Sequence, residues 1–258
     1  MSALRELLEL GQRAVGIDAA TVAGGAAGRN GGFLLAGLAR FYHESVAQLG
    51  RERARAIYQV TLEQLERMRR ETPEAIRRVG SLRIAEGEEE YRDCLEHLQA
   101  LRADGFPAEP YDGPEGRGIL IPSDGAFNPL LRCRLLAQGL LRDGVLLFEH
   151  TPALEIGSGV VRTPGGSIRC ERVIVAVDGG LERFLRERLG VRAEITHRWA
   201  ALVAYTDTGW PILEEVRPDV WAIGAYSGTG NVVGAILGRQ VARRAVGAVE
   251  AGLPLPNK

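Results

Sequence analysis

Three glycine-rich junctions hold the residues that could do chemistry in this chain. The first leads from Asp18 into residues 24–32, GGAAGRNGG. An aspartate at a strand end can accept hydrogen bonds from both hydroxyls of a ribose, as an acidic residue does at the end of the second strand of a dinucleotide-binding βαβ unit. The same side chain can instead close a turn. The second junction is residues 175–180, VAVDGG, with Asp178 and Gly179 at its tip. Small residues where a strand ends let a ligand approach the backbone, and they also serve an ordinary strand exit. The third is residues 224–231, GAYSGTGN, a strand, a glycine loop and the start of a helix. Unpaired N–H groups and the positive end of the helix dipole attract negative charge to such a place. One loop of this kind says little. Three in one chain, each after a strand, with 33 glycines in 258 residues, point to a backbone shaped around a ligand.

The remaining polar side chains are less informative. His43 and His197 read as surface or core residues before they read as catalysts. Arg198 could clamp a carboxylate with two hydrogen bonds. Lys258 is the sole lysine among 32 basic residues, so a structural ion pair is the simpler reading of any one arginine. Tyr226 and Trp199 could wall a planar ligand or fill a core, and Phe41 and Tyr42 carry the same ambiguity. Cys94, Cys133 and Cys170 lie far apart without a CxxC pair, so neither a metal site nor a disulfide framework is indicated, and their odd count fits a reducing cytoplasm. A net charge of -1 gives no pull toward nucleic acid or an anionic membrane. Arg5, Glu6 and Glu9 break the opening segment as a leader, and no apolar run reaches the ~18 residues that span a bilayer. These features predict a cytoplasmic protein with neither a nucleic-acid nor a membrane partner.

The elements that must position the junctions follow from pattern and punctuation. Leucines at helical spacing predict a helix from Ser2, which can cap it, to Gly11. A strand is expected over 13–19, helices over 51–70 and 88–103, and short strands over 81–85 and 118–122. Asn128-Pro129 predicts a clean helix start, with the helix ending at Gly144. Strands are expected at 145–149 and 153–156, a hairpin at Gly165-Gly166, and a strand at 172–177 buried on both faces. Residues 200–205 and 220–226 read as strands, 231–247 as a helix and the last five residues as a frayed tail. Alternating helices and strands give an α/β class.

Taken in order, these segments resemble the D-amino-acid oxidase-like family of FAD-dependent oxidoreductases, in the branch of glycine oxidase and gamma-glutamylputrescine oxidoreductase. GGAAGRNGG at 24–32 resembles that family's GASGRNGG loop. Gly125 to Pro129 resembles its G-x-x-x-P segment, residues 145–156 the strand pair that reaches the adenine, and residues 174–179 the strand ending A-T-[ND]-G. Arg198-Trp199 and residues 206–211 and 224–234 are similar to its C-terminal R-W, T-x-D-x-x-P and Y-S-G-x-G stretches. The resemblance implies a Rossmann-like, glutathione-reductase-type FAD-binding domain and oxidation of the C–N bond of a small amine or amino acid. It implies hydride transfer to the flavin, hydrolysis of the resulting imine by water, and reoxidation of the cofactor by oxygen or another acceptor. It implies that Asp18 meets the ribose, that Gly28, Arg29, Asn30 and Gly31 line the flavin, and that Ala153 lies on the adenine side. Asp178 and Gly179 join the cofactor site, and Gly228, Thr229, Gly230 and Asn231 face the flavin's pyrimidine edge. Arg198 and Tyr226 are the candidates for substrate contact. No side chain is assigned as a general base, because flavin oxidation of a neutral amine needs none.

Two departures modify that expectation. The family opens with a strand and a GxGxxG turn that seats the FAD pyrophosphate, whereas this sequence opens inside the following helix. Near Gly180 several substrate-domain strands of the family are replaced by residues 181–189, which resemble a later helix. The resemblance therefore implies a reduced fold. Residues 1–40, 118–180 and 196–258 form an incomplete FAD-binding domain, and 41–117 an incomplete α+β substrate region. FAD affinity is expected to be poor unless another chain, in a homo- or hetero-oligomer, completes the site. The alternative function is a truncated, non-catalytic remnant or a partial subunit of such an oxidase.

Overall fold

The structure is a computed structural model that describes residues 1–177, 204–249 and 252–255. In chain order its elements are α1 (Ser2–Glu9), β1 (Val15–Ile17), β2 (Phe33–Leu34), α2 (Tyr42–Leu49), α3 (Arg51–Glu71), β3 (Ile76–Arg77), β4 (Ser81–Ile84), α4 (Glu88–Ala103), β5 (Glu109–Gly113), β6 (Gly116–Ile121) and β7 (Gly125–Phe127). Then come α5 (Pro129–Arg142), β8 (Leu146–Phe148), β9 (Glu155–Gly157), β10 (Val160–Thr163), β11 (Gly166–Arg169), β12 (Val173–Val175), β13 (Ile212–Arg217), β14 (Val220–Gly224) and α6 (Val233–Ala245). The chain divides into two compact units, Met1–Gly31 with Pro129–Leu253, and Gly32–Asn128 with Pro254–Lys258.

In the first unit β1 and β8 form a parallel pair, with Val15 opposite Leu146 and Ile17 opposite Phe148. β9, β10 and β11 make an antiparallel meander. Thr163 and Gly166 close the predicted hairpin, with Gly166 at φ 139°. β12 lies parallel to β14, and β13 antiparallel to it. Ile156, Val161, Val175, Val220 and Ala222 form the core between these strands, with Ile17 and Ala153 packed against it. α1 and α6 pack side by side. A β-carbon on Gly238 would lie 3.1 Å from that of Ser2, and Arg243 Nε donates to the buried carboxylate of Glu6 at 2.5 Å. Ser2 meets Gly238 and, one turn on, Glu6 meets Arg243, so the two helices run parallel. Met1, not Ser2, stands at the N-cap of α1, without a side-chain cap. α5 starts at Pro129 as the Asn-Pro pair predicts, and it stops where Gly144 takes φ 85° and Val145 N–H reaches back to Leu140 O at 2.9 Å.

In the second unit β2, β7 and β3 form one small sheet, and β4, β6 and β5 another. The apolar stripe of α3 is buried at Ala54, Ile57, Tyr58, Thr61, Leu65 and Met68, and α4 buries Cys94, Leu98 and Leu101. Tyr42, Tyr58 and Phe106 meet at this core with ring centroids 4.5 to 5.6 Å apart, in the tilted and edge-on geometry that aromatic quadrupoles favour.

Several expectations change. The strand expected over 13–19 shortens to β1, and the helix expected from 231 begins at Val233. Helix α2 and strands β2, β3, β5, β7 and β13 carry no signal strong enough to have been expected. α2 is only eight residues long, and it is set by Glu44 Oε2 accepting the Phe41 N–H at 3.0 Å rather than by a long apolar stripe. Val177, expected inside a buried strand, lies beyond β12 and is 42% exposed. The tail does not fray at its start: Leu253 is buried, and Pro254 O accepts a hydrogen bond from Arg53 Nη2 at 2.8 Å. The helix expected over 181–189 and most of the strand expected over 200–205 lie outside the described residues.

Candidate functional site

The first junction is a loop bonded to itself and to its neighbours. Parallel pairing continues past β1, with Asp18 N–H donating to Phe148 O at 2.9 Å and Asp18 O accepting Thr151 N–H at 2.7 Å. Asp18 Oδ1 accepts the Ala20 N–H at 2.8 Å, so one carboxylate oxygen does close a turn. Glu149, at the end of β8, accepts the Val22 N–H at 2.5 Å and seats the next stretch. The chain then turns through Ala23 at φ 64° and a short 3-10 turn, Ala26–Gly28. Gly28 is required by contact: a β-carbon there would lie 2.2 Å from Ala23 O. Asn30 Nδ2 donates to Ala26 O at 3.2 Å and Ala27 O at 3.0 Å, which locks the turn. The Cys133 thiol of α5 points at Ala27 O, 3.8 Å away. Arg29 and Gly31 stand on this loop, and both are exposed.

The third junction stores strain and presents donors. Ala225 and Ser227 take φ 55° and 49°, and Gly228 takes φ 83°. Left-handed backbone at a non-glycine residue costs about 1–3 kcal/mol and concentrates where geometry serves a ligand. Thr229 donates both its N–H, at 2.9 Å, and its hydroxyl, at 2.6 Å, to Tyr226 O. The Tyr226 ring lies on the first turn of α6, where β-carbons on Gly230 and Gly234 would come within 3.1 and 3.3 Å of it. This contact uses Tyr226 for packing and explains both glycines. The N–H groups of Gly228 and Gly230 have no acceptor among the described residues. The Ser227 hydroxyl is buried without a partner among the described residues. A cradle with orphaned donors fits a ligand edge that carries negative charge.

The first and third junctions share one end of the first unit. Val233 opens α6 five residues before Gly238, roughly 7.5 Å along the axis. The N-terminus of α6 therefore projects past that of the parallel α1. Burial pushes the Met1 amine down, Arg132 and Arg239 push the same way, and Cys133 and Asp18 oppose them. Asp18 thus lies within electrostatic reach of the same end of α1. Ala153, like Ile17, packs against the core of Ile156, Val161, Val175, Val220 and Ala222. Asp178, Gly179 and Arg198, with His197 and Trp199, lie outside the described residues. Thiol chemistry finds no support, since burial pushes Cys94, Cys133 and Cys170 all above the ordinary thiol range.

The profile of the DAO family, described as FAD dependent oxidoreductase, matches residues 1–193. The chain belongs to this family of FAD-dependent oxidoreductases. The "Probable oxidoreductase OrdL" of Haemophilus influenzae is 24% identical over 206 residues, 70% of this chain. The chain spans 47% of that curated relative's length. L-proline dehydrogenase from P. horikoshii shares the fold at a TM-score of 0.75 and 14% identity, over 98% of this chain and 91% of that one. Glycine oxidase from Geobacillus kaustophilus does so at 0.73 and 18%, over 97% and 92%. The chain is therefore a mixed α/β protein with the Rossmann-like fold of FAD-binding domains. Among its described residues no helix is long and apolar enough to cross a membrane.

Two residues of the candidate site escape sequence reasoning. Glu149 sits in the EHTP stretch that resembles the adenine-side strands, but its bond to Val22 N–H spans 127 residues and leaves no local trace. Ser227 reads as a loop serine, and only its burial distinguishes it. His43 of α2 also falls beside Asp93 and Glu96 of α4, a grouping no CxxC-type spacing signals.

Proposed function

We propose that this oxidoreductase binds FAD with the shared end of its first unit and oxidises a small amine or amino acid at the C–N bond. The observation that carries the reading is the strained loop at Ala225–Gly228, whose Ser227 hydroxyl and Gly228 and Gly230 N–H groups have no partner among the described residues, on the same end as Asp18. When bound, the flavin supplies the hydride acceptor. The protein's part is position and charge. Asp18 would use the carboxylate oxygen not bonded to Ala20 to hold a ribose hydroxyl. Gly228, Gly230 and Ser227 would donate to the pyrimidine edge, where negative charge collects. Gly28 lets the first loop fold tightly enough for Arg29, Asn30 and Gly31 to border the ring. Asp178 and Gly179 are proposed to complete the cofactor site, and Arg198 to meet a substrate carboxylate. The second unit is proposed as the substrate side. The family match and the amino-acid dehydrogenase and oxidase folds support this reading, and the remnant alternative is not favoured.

FAD is titrated into the full chain while flavin fluorescence quenching and visible absorbance are followed. The loaded protein is then offered D- and L-amino acids, N-methylated glycine and diamines with an artificial electron acceptor. Saturable binding and bleaching of the flavin by one substrate class are expected. A chain that leaves FAD fluorescence untouched at every concentration overturns the proposal.

A further inference from the structure

The second unit holds an imidazole that makes no hydrogen bond among the described residues. His43, near the start of α2, turns Nε2 toward Glu96 Oε2 at 3.6 Å, beyond hydrogen-bond reach. Its Nδ1 is buried with no partner among the described residues. The Phe41 ring stacks on it at 5.5 Å and 27°, so the imidazole is held in place. His97, next to Glu96, is already engaged, because its Nδ1 accepts the Tyr42 N–H at 2.8 Å and anchors the start of α2.

Asp93 and Glu96 stand three apart on α4, hence on one face. In a sequence whose acids are interleaved with arginines, neither has an arginine partner among the described residues. One donor atom from each of His43, Asp93 and Glu96 lies within 4.8 Å of the other two. Two carboxylates and a neutral imidazole make a ligand set of charge about -2, which a divalent cation neutralises. Mixed nitrogen and oxygen donors suit a first-row transition ion, and three protein ligands leave the fourth tetrahedral position to water. The opposing charge is Arg83, whose guanidinium lies 3.8 Å over the Phe41 ring.

We propose that His43, Asp93 and Glu96 bind a divalent first-row transition cation, Zn²⁺ by the fit of its ligands, which clasps α2 to α4. The ligands come from two helices that already pack together, so the ion would pin α2 to α4. The site does not depend on the flavin reading.

The probe is zinc chloride alone, titrated calorimetrically into the chelator-treated full chain, with Co²⁺ as a visible reporter of ligation. One equivalent is expected to bind and to raise the melting temperature. His43→Ala and Glu96→Gln should each weaken binding at least ~10-fold and remove the tetrahedral Co²⁺ bands, while His150→Ala leaves both intact. Glu96 is 65% exposed, so Glu96→Gln keeps the test valid if His43→Ala fails to fold. No saturable binding, or equal binding in Glu96→Gln, overturns the site.

Discussion

Gly28 folds back onto Ala23 so closely that a β-carbon on the glycine would lie 2.2 Å from the alanine's carbonyl oxygen. Backbone cannot yield as a flexible side chain can, so the whole turn must move to admit one methyl group. Gly28→Ala is expected to cost about 1–3 kcal/mol of stability and to weaken FAD binding by about tenfold or more, since Asn30 and Arg29 ride on the displaced turn. Thermal melts with and without FAD, beside a fluorescence titration, check both effects.

Ser227 separates a ligand-directed group from a structural one. Its hydroxyl is buried and unpartnered among the described residues, so in the FAD-free protein it contributes nothing to offset its desolvation. Ser227→Ala should leave apoprotein stability unchanged or raise it by up to ~1 kcal/mol. The same change should weaken FAD binding and shift the flavin absorbance. Lower apoprotein stability with unaltered FAD affinity would assign the hydroxyl to the fold instead.

Acid sensitivity of the second unit should trace to Asp104. Tyr42 donates its hydroxyl to Asp104 Oδ2 at 2.6 Å, and Arg51 Nε donates to Oδ1 at 2.5 Å. Burial pushes this carboxyl up, but the two hydrogen bonds and the charges of Arg51 and Arg55 outweigh it and hold it below the usual carboxylate range. A lowered folded value means that the unfolded chain binds the proton first. The stabilisation is therefore complete above the ordinary carboxylate pKa and is lost as pH falls through the folded value. Tyr42→Phe should cost about 1.5–3 kcal/mol near neutrality, and Asp104→Asn should flatten the acid limb of stability measured by urea unfolding. An unchanged acid limb in Asp104→Asn would move the effect to another carboxylate.

What the sequence discloses is what short-range physics writes into it. The stripes of α3 and α4 and the Asn128-Pro129 start are local and periodic, so they are legible. β2, β3 and β7 are two or three residues long and exist because Gly125 and Phe127 find Leu34 and Ile76 across the chain, which no window of residues reveals. The glycine loops announce a ligand but not their architecture: Asn30 turns out to bond its own loop, and Tyr226 to pack on Gly230 and Gly234. Glu149, Ser227 and the pairing of His43 with Glu96 depend on tertiary placement alone, and they become visible only when burial and distance are known.

Asp18 offers the sharpest test of the cofactor site, because its two oxygens have separable roles. Oδ1 closes the turn to Ala20, and an asparagine oxygen can accept that bond equally well. Asp18→Asn should therefore preserve stability to within about 0.5 kcal/mol. A ribose hydroxyl loses a charged acceptor in the same variant, and hydrogen bonds to charged groups are worth about 1.5–3 kcal/mol, so FAD affinity should fall by roughly ten- to a hundredfold. Asp18→Ala should lose both the turn and the ribose contact. FAD titrations and melts of the two variants side by side read the difference. If Asp18→Asn binds FAD as the parent does while Asp18→Ala fails, the carboxylate serves the turn alone and the ribose must be held by another group at that end of β1.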